Sequence, residues 1–342
     1  MTKLASVVLP PRAEWLALHE PEEVLEPQLR IVDPHHHLWE RRNHRYLLPE
    51  LLADTGSGHN ITHTVFIEAM AFYREAGPVE MKPLGEVEFA GGVAAMSASG
   101  IYGATRACAG IVGHANLHCG AAAREVLAAM QAAASGRLRG IRHAGAWDAS
   151  DELPNSHTNP PPGLYGDPLF REGFALLAPL GLSFEAWQYQ PQLPDVIALA
   201  RAFPQTSIVL NHIGAPLGVG PYAGQREAMF AHWKQHISEL ARCDNIVVKL
   251  GGLGMRIGMF DFHLRARPPT STELAQAWRP WIEHCIAAFG PARCMFESNF
   301  PVDKITSSYA VLWNAFKRLA AGASAAEKHA LFSATASRVY RL

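Results

Sequence analysis

The sequence is poor in cysteine, has no long apolar run and shows no excess of either charge. Its five cysteines form no Cys-x-x-Cys pair, so we expect no disulfide framework and favour the reducing cytoplasm. No apolar run reaches the roughly 18 residues that a transmembrane helix needs. Lysine and arginine number 30 against 31 acidic residues, so neither a nucleic acid nor a membrane surface is an expected partner.

Signatures of nucleotide binding are also missing. No Gly-x-Gly-x-x-Gly follows the first predicted strand and no P-loop occurs, which weakens the case for a doubly wound nucleotide-binding sheet. The 342 residues are 49% hydrophobic, which is enough for a large core. Barrels of alternating strands and helices reach this length as one domain.

Short runs rich in Val, Ile and Phe alternate with alanine-rich periodic stretches, and these predict strands and helices respectively. Because the strands are apolar throughout, they are typical of a parallel sheet buried on both faces. We therefore predict one (β/α)8 TIM barrel over residues 29–342, after an N-terminal arm of residues 1–28. The expected strands are 29–33, 62–68, 109–115, 138–142, 182–187, 207–211, 245–250 and 293–297. The expected helices are roughly 79–100, 120–135, 168–180, 193–203, 223–243, 272–289, 305–319 and 324–336.

The strongest chemical signal is Asp33-Pro34-His35-His36-His37, directly after the first predicted strand. Residues i and i+2 of an extended segment point the same way, so His35 and His37 can converge on one ion or one substrate. His36 is expected to point away. Barrel enzymes carry their active sites at the carboxyl ends of the strands, which favours a site over a loop of solvated histidines.

Two later strands also end in polar groups. The sixth predicted strand runs into Asn211 and His212, and the eighth runs into Glu297, Ser298 and Asn299. The last strand of a barrel closes beside the first, so the groups at its end are expected next to the histidine pair. If this strand stays regular, Glu297 and Asn299 face one side and Ser298 faces the other.

Asp303 follows the same stretch, beyond Pro301, at the entrance of a predicted helix. An acidic residue in that place is typical of a helix N-cap, and this is the favoured interpretation. A role in the site is compatible with it. Two long segments, 143–167 and 251–271, follow predicted strands and are expected on the active-site face as substrate loops or a lid.

Four further residues are candidates for contact with a substrate: Trp39, Glu68, Arg142 and Glu185. Arg142 could hold a substrate carboxylate bidentately, or it could form a structural salt bridge to Glu68 or Glu185. Trp39 could line a pocket or simply pack in the barrel. Lys249, on the seventh predicted strand, could be a buried ion-pair partner or an electrophile.

These motifs together resemble the amidohydrolase-related family of TIM-barrel metal-dependent hydrolases, and more narrowly its lactonase-like group, which includes fuconolactonase and pyrone dicarboxylate lactonase. The resemblance implies a barrel that hydrolyses a lactone or a related cyclic ester or amide. The His-x-His pair of the family matches His35 and His37, and its strand-6 histidine matches His212. The resemblance covers about residues 28–340 and rests on the ordered motifs DPHHHLW, TVFIEAMAFYR, PLGEVEF, GIRH, LSFEAW, LNHIGAP, VKLGGLGM and MFESNFPVD.

One position departs from the family pattern. The strand-8 aspartate that relatives use to take a proton from water, and that can bind a metal, matches Asn299. An amide is no base and a weak metal ligand, so the base is expected at His212, Glu297 or Asp303. His35 and His37, with Glu185 or His212 as third ligand, are expected to suit one divalent ion, zinc above all, and a metal-free mechanism is the alternative.

Three functional hypotheses follow. The favoured one is hydrolysis of a lactone of a sugar acid or of a carboxylated ring compound. The second is a metal-dependent decarboxylase acting on an unsaturated or aromatic acid. The third is a protein that has lost catalysis and binds a carboxylated ligand. Each implies a small molecule as the partner, and assembly into a homo-oligomer is open.

Overall fold

The computed structural model describes residues 8–342 and contains the expected parallel barrel; the first seven residues of the predicted arm lie outside the described residues. Eight strands lie side by side in chain order, and each neighbouring pair is parallel. They are β1 (Arg30–His36), β4 (Asn60–Ile67), β5 (Arg106–Gly113), β6 (Leu138–Ile141), β7 (Ser183–Ala186), β8 (Ile208–Leu210), β9 (Ile246–Leu250) and β10 (Cys294–Phe296). The fold prediction is confirmed.

The barrel closes between β1 and the chain that follows β10. The backbone N–H of Asn299 donates to the carbonyl of His35 at 2.9 Å, and the N–H of His37 donates to the carbonyl of Phe300 at 2.8 Å. These two bonds bring the end of the last strand against the histidine pair. The adjacency expected from chain order is therefore present in backbone hydrogen bonds.

Helices lie between the barrel strands, as the periodic stretches predict, and further helices precede the first strand and follow the last. They are α1 (Ala13–Leu16), α2 (Leu48–Thr55), α3 (Leu84–Ala98), α4 (Ala123–Ala133), α5 (Pro168–Phe174), α6 (Leu193–Ala202), α7 (Arg226–Leu240), α8 (Ser271–Phe289), α9 (Tyr309–Leu319), α10 (Ala325–His329) and α11 (Thr335–Tyr340). Within residues 8–342, no helix has the length and apolar character needed to cross a membrane.

The structure adds elements after β1 that the sequence patterns did not predict. A hairpin of β2 (Trp39–Arg41) and β3 (His44–Tyr46) precedes α2. Its strands have only three residues each, too short to show a periodic pattern. The hairpin carries Trp39 and Arg41 to the mouth of the barrel.

The barrel interior is filled from below by the C-terminal helix. Ala336 and Tyr340 of α11 join a buried cluster with inward-facing residues of the strands, which are Val32, Val65, Ile67, Val112, Val209, Val247 and Met295. β-Branched side chains dominate this cluster, as is usual for the packed core of such barrels. The interior is therefore a packed core beneath the polar end of the barrel.

Candidate active site

The end of β1 places its histidines as the extended geometry requires. The Nε2 atoms of His35 and His37 lie 3.3 Å apart. The Nδ1 of His37 lies 2.9 Å from the carbonyl of Ile67, an acceptor, so this nitrogen carries the proton and Nε2 has the lone pair. His36 points the other way, with its Nε2 2.8 Å from the hydroxyl of Thr64.

His212 and Glu297 form a buried pair at the centre of the site. The Nδ1 of His212 lies 2.7 Å from Oε1 of Glu297, and the backbone N–H of His212 donates to the same oxygen at 3.1 Å. His212 adopts a left-handed φ of 53°. This backbone conformation brings its ring against Gly252, where a Cβ atom would stand 2.4 Å from the Cβ of His212. Gly252 is therefore needed for the ring to sit where it does.

Burial governs the charge of this pair. It lowers the pKa of His212 well below the usual value, and the nearby charges of Arg142 and Lys249 lower it further. Burial also raises the pKa of Glu297 to about 8, against the opposing charge of Lys249. His212 is therefore a neutral imidazole. Because Oε1 of Glu297 already accepts the backbone N–H of His212, Nδ1 carries the ring proton and donates it to the same oxygen, and Nε2 keeps the lone pair.

Asn299 and Asp303 form a second pair beside the first. Asn299 has a φ of 53°, and its side-chain amide donates to Oδ1 of Asp303 at 2.8 Å. The other oxygen of Asp303 accepts the backbone N–H of Gly254 at 2.9 Å. Burial raises the pKa of Asp303 to about 8.

Two expectations for this stretch were wrong. Asp303 is no N-cap: it is the first residue of a short helical turn, Asp303–Ile305, and its carboxyl group binds Gly254 and Asn299 instead. The strand also does not stay regular, because β10 ends at Phe296. Glu297 therefore reaches His212, while Asn299 lines the cavity described below. Asp303 does not line that cavity.

Glu185 also lies elsewhere than expected. One carboxylate oxygen binds the ammonium of Lys249 at 2.8 Å and accepts the amide of Asn211, and the other accepts the hydroxyl of Tyr340. These partners occupy both oxygens inside the barrel. Glu185 as a metal ligand or substrate contact therefore stays a prediction. Lys249 forms the buried ion pair that the sequence offered as one of its two roles.

Arg142 and Glu68 form a fully buried ion pair at one wall of the site. The Nε of Arg142 lies 2.6 Å from Oε1 of Glu68, and the other oxygen of Glu68 lies 3.0 Å from Nε2 of His157. Burial would raise the pKa of Glu68, but the charges of His157 and Arg142 outweigh it and hold the pKa well below its usual value. Glu68 is not among the residues that line the cavity, and its contact with a substrate stays a prediction. It contacts Arg142 and His157, which do line the cavity.

A cavity of about 430 Å³ opens above these groups. His37, His212, Asn299 and Arg142 reach its surface from the strand ends. Trp39 also lines it, stacked on His37 with ring centres 5.6 Å apart, and so does Trp187, whose ring centre lies 5.1 Å from that of His212. The remaining lining comes from residues that were not among the predicted site residues: Val8, Arg41, Ala69, Met70, Pro154, Asn155, Ser156, His157, Tyr189, Met255 and Val302.

Charge is distributed unevenly over this lining. Two arginines reach the cavity, Arg41 and Arg142, while the described lining residues include no aspartate and no glutamate. His157 comes from segment 143–167, which the sequence predicted as a substrate loop. The length of that segment indicated that it could reach the site, but its composition did not indicate which of its residues would line the cavity.

Comparison with known proteins agrees with this architecture. The family model described as amidohydrolase matches residues 32–342. The chain belongs to the amidohydrolase family. This amidohydrolase is 32% identical over 336 residues to an uncharacterized protein, y4mH, of Sinorhizobium fredii, covering 92% of this chain and 99% of that one.

Two proteins of Burkholderia multivorans are also similar. The first is an L-fucono-1,5-lactonase, 30% identical over 207 residues, which are 60% of this chain and 64% of that protein. The second is an amidohydrolase whose crystal structure holds bound zinc. It matches with a TM-score of 0.69 and 25% identity over 91% of this chain and 99% of that chain. The protein is thus an enzyme of the amidohydrolase superfamily with lactonases among its relatives.

Members of this superfamily are usually metal-dependent, and the side chains present fit a metal ion. His35, His212 and Glu297 each place one donor atom within 4.8 Å of the others. The 3.3 Å between the Nε2 atoms of His35 and His37 is about the separation of two nitrogens on one tetrahedral zinc. Oε2 of Glu297 is buried and lies 2.8 Å from Nδ1 of His35. Glu297, rather than Glu185, is the carboxylate that lies within reach of these histidines.

Proposed function

We propose that this amidohydrolase opens the ring of a lactone, with His212 as the general base. The observation that carries the proposal is the 2.7 Å contact between His212 Nδ1 and Glu297 Oε1. A carboxyl group that holds one ring nitrogen in its protonated form leaves the other free to accept a proton. His212 lines the cavity, so its Nε2 can meet a water molecule there.

The proposed reaction is an ordinary ester hydrolysis. Water adds to the lactone carbonyl carbon while His212 takes one proton from it. The carbonyl electron pair moves to oxygen, then returns as the ring C–O bond breaks. The proton held by His212 passes to the released ring oxygen, so the product is a hydroxy acid and the enzyme is unchanged.

Other lining residues hold the substrate in this mechanism. Asn299, whose amide is fixed by Asp303, acts as a hydrogen-bonding residue and not as a base. Trp39 and Trp187 offer flat apolar walls for a ring. A zinc ion held by the pair of His35 and His37 would supply a Lewis acid for the carbonyl oxygen.

The charge of the lining supports an anionic substrate. Arg41 and Arg142 reach the cavity without an acidic lining residue among those described, and a guanidinium suits a carboxylate. The ion pair of Arg142 with Glu68 is compatible with this role, because Glu68 contacts Arg142 through one oxygen only and His157 through the other. A lactone of a sugar acid or of a carboxylated ring compound fits such a cavity.

The test is to incubate the protein with a panel of sugar-acid lactones and carboxylated pyrone lactones and to measure hydrolysis as the release of acid. We expect turnover of at least one carboxylated member, and His212→Ala should lower it to background. His232→Ala, an exposed histidine of α7, is the matched control and should retain activity. Absence of turnover across the panel would overturn the proposal, and release of CO2 from an aromatic or unsaturated acid would favour a lyase.

A further inference from the structure

The backbone segment 68–72, which follows β4, has an unusual conformation at the cavity. Met70 and Phe72 both have a left-handed φ of 56°. Each such residue other than glycine costs roughly 1–3 kcal/mol, and the conformation persists only where the surrounding structure imposes it. Ala69 and Met70 line the cavity. The segment that shapes this part of the cavity therefore needs support from another element.

Glu86 of α3 provides that support. Its side chain is buried, and its Oε1 accepts the backbone N–H of Ala69 at 2.8 Å and that of Ala71 at 2.9 Å. Two N–H groups that converge on one oxygen form a concavity of the kind that binds anions. Glu86 lies in the first turn of α3, where the helix dipole favours a negative charge. The sequence motifs TVFIEAMAFYR and PLGEVEF thus meet in these two bonds.

The start of α3 also packs against the end of the segment. The rings of Phe72 and Phe89 stack with their centres 4.0 Å apart. A Cβ atom at Gly85 would stand 2.3 Å from the carbonyl oxygen of Phe72, so this close approach requires glycine. Segment 68–72 is therefore held by α3 through backbone hydrogen bonds and through side-chain packing.

The carbonyl groups of the same segment bind the two arginines of the cavity. Nη2 of Arg41 donates to the carbonyl of Ala69 at 2.7 Å. Nη2 of Arg142 donates to the carbonyl of Glu68. Because Glu86 binds the N–H groups of this segment, it fixes the backbone whose carbonyl groups hold both guanidinium groups.

The two arginines differ in their access to a ligand. The side chain of Arg142 is 6% exposed, and its Nε is paired with the buried carboxylate of Glu68. Arg41 is exposed at the cavity, and no carboxylate within residues 8–342 forms an ion pair with it. Its Cζ lies 4.2 Å from the ring centre of Trp39, a cation–π contact. A guanidinium has five N–H donors, and the bond to Ala69 uses one of them.

We propose that Arg41 recognises a carboxylate of the substrate, and that Glu86 is a positioning residue that holds Arg41 in place through segment 68–72. The proposal rests on the hydrolysis proposed above and places the charged group of its substrate on the side of the cavity formed by the hairpin. A guanidinium binds a carboxylate with two parallel hydrogen bonds. Glu86 does not line the cavity, so it acts through the backbone and touches no substrate.

The first test compares an accepted carboxylated lactone with the same lactone as its uncharged carboxamide. Arg41→Met should raise KM for the carboxylate roughly tenfold or more, whereas KM for the carboxamide and both kcat values should stay within about threefold. Glu86→Leu should shift the same preference, and Glu86→Gln should restore most of it, because an amide oxygen still accepts both N–H groups. Arg45→Met, on the same hairpin but outside the cavity lining, and Glu88→Gln, at the surface of α3, are the controls and should keep the wild-type preference.

The second test needs no turnover and uses benzoate and benzamide as probes, with binding measured by calorimetry. We expect the wild type to bind benzoate roughly tenfold or more tightly than benzamide, and Arg41→Met to bind the two alike. Equal binding of both probes by the wild type overturns the proposal, and so does a preference that survives in Arg41→Met. If the wild type turns over no lactone, the proposed function fails, and these probes still decide the role of Arg41.

The role of Glu86 is decided separately from that of Arg41. An equal rise in KM for the carboxylate and the carboxamide in Glu86→Leu, or no recovery in Glu86→Gln, would show a merely structural residue and overturn the positioning role. Glu86→Asp, whose carboxyl group is one methylene shorter, replaces Glu86→Leu if that variant does not fold. The benzoate preference of the same variants gives a second measurement that is independent of hydrolysis.

Discussion

His212 Nδ1 and Glu297 Oε1 stand 2.7 Å apart, 85 positions apart in the chain and both buried. The carboxyl group sits behind the ring as seen from the cavity, and it also accepts the backbone N–H of His212. Orientation and tautomer of the ring are thus set by one residue. In the proposed hydrolysis, this pair supplies the base that Asn299 cannot be.

Glu297→Gln should therefore lower kcat strongly while the fold remains. An amide can donate to Nδ1 and so move the ring proton to Nε2, where it blocks the base. We expect a loss of roughly 10²- to 10⁴-fold, the range seen when an acid behind a catalytic histidine becomes an amide. The measurement is steady-state hydrolysis of an accepted lactone. Since the two residues act as a unit, His212→Ala/Glu297→Gln should be no worse than His212→Ala alone; additive losses would contradict the pairing.

Asn299→Asp should lower the stability of the folded state more at high pH than at low pH. It places a second carboxyl group about 2.8 Å from that of Asp303, and two such groups share one proton readily but resist losing both. We expect a larger drop in Tm at pH 9 than at pH 6, measured against the wild type. The exchange Asn299→Asp/Asp303→Asn, which restores one acid and one amide, should remove the difference. An equal drop at both pH values would be evidence against the contact.

Asp303 should make the folded state less stable as pH rises. Its pKa is raised by burial from 3.8 to about 8, so between these values the folded chain holds a proton that the unfolded chain has lost. Stability then falls with pH across this window, by at most about 1.4 kcal/mol per pH unit for one proton. Urea midpoints of Asp303→Asn from pH 5 to 8 should show a shallower decline than the wild type. Asp261→Asn, at an exposed site, is the control, and a slope for Asp303→Asn equal to that of the wild type would refute the assignment.

His157→Gln should weaken substrate binding more than the chemical step. The ring lines the cavity and contacts Glu68 at 3.0 Å, but it lies on a loop and makes no contact with the pair of His212 and Glu297. We expect KM to rise roughly three- to tenfold with kcat within about twofold, the signature of lost uniform binding. Glu152→Gln, on the same loop but outside the cavity lining, should change neither. A fall in kcat at constant KM would instead place His157 in the chemistry.

Lys249→Met should raise the affinity of the histidine pair for zinc. Zinc is a cation, and the ammonium of Lys249, 3.2 Å from Nδ1 of His35, places a like charge beneath the site. Removing the ammonium is expected to tighten zinc binding at least tenfold, measured by competition with a chelating dye. Lys328→Met, at a surface pair with Glu26, is the control. Equal affinity in Lys249→Met and the wild type would contradict an electrostatic effect of Lys249 on the site.

The order of elements could be predicted from local pattern. Each barrel strand is a short apolar run and most helices are periodic, so eight strands and their sequence were predictable to within a few residues. Boundaries were less certain where the chain bends: the predicted helix over 168–180 ends at Phe174, and the one over 324–336 is divided by a π-helical turn, Ala330–Ala334. The first hairpin was missed because three-residue strands carry no period.

The sequence by itself determined which strand ends carry the chemistry, since alternation along β1 separates His35 and His37 from His36. It also showed that residue 299 is an amide. Only the tertiary structure decided which carboxyl group contacts His212. Glu185 and Glu297 both end apolar strands, and nothing local distinguishes them. Lys249 and Tyr340 take up Glu185 within the barrel, while the irregular chain after β10 turns Glu297 toward His212. Buried charged groups pair with residues that are distant in sequence, and these residues come close only in the folded barrel.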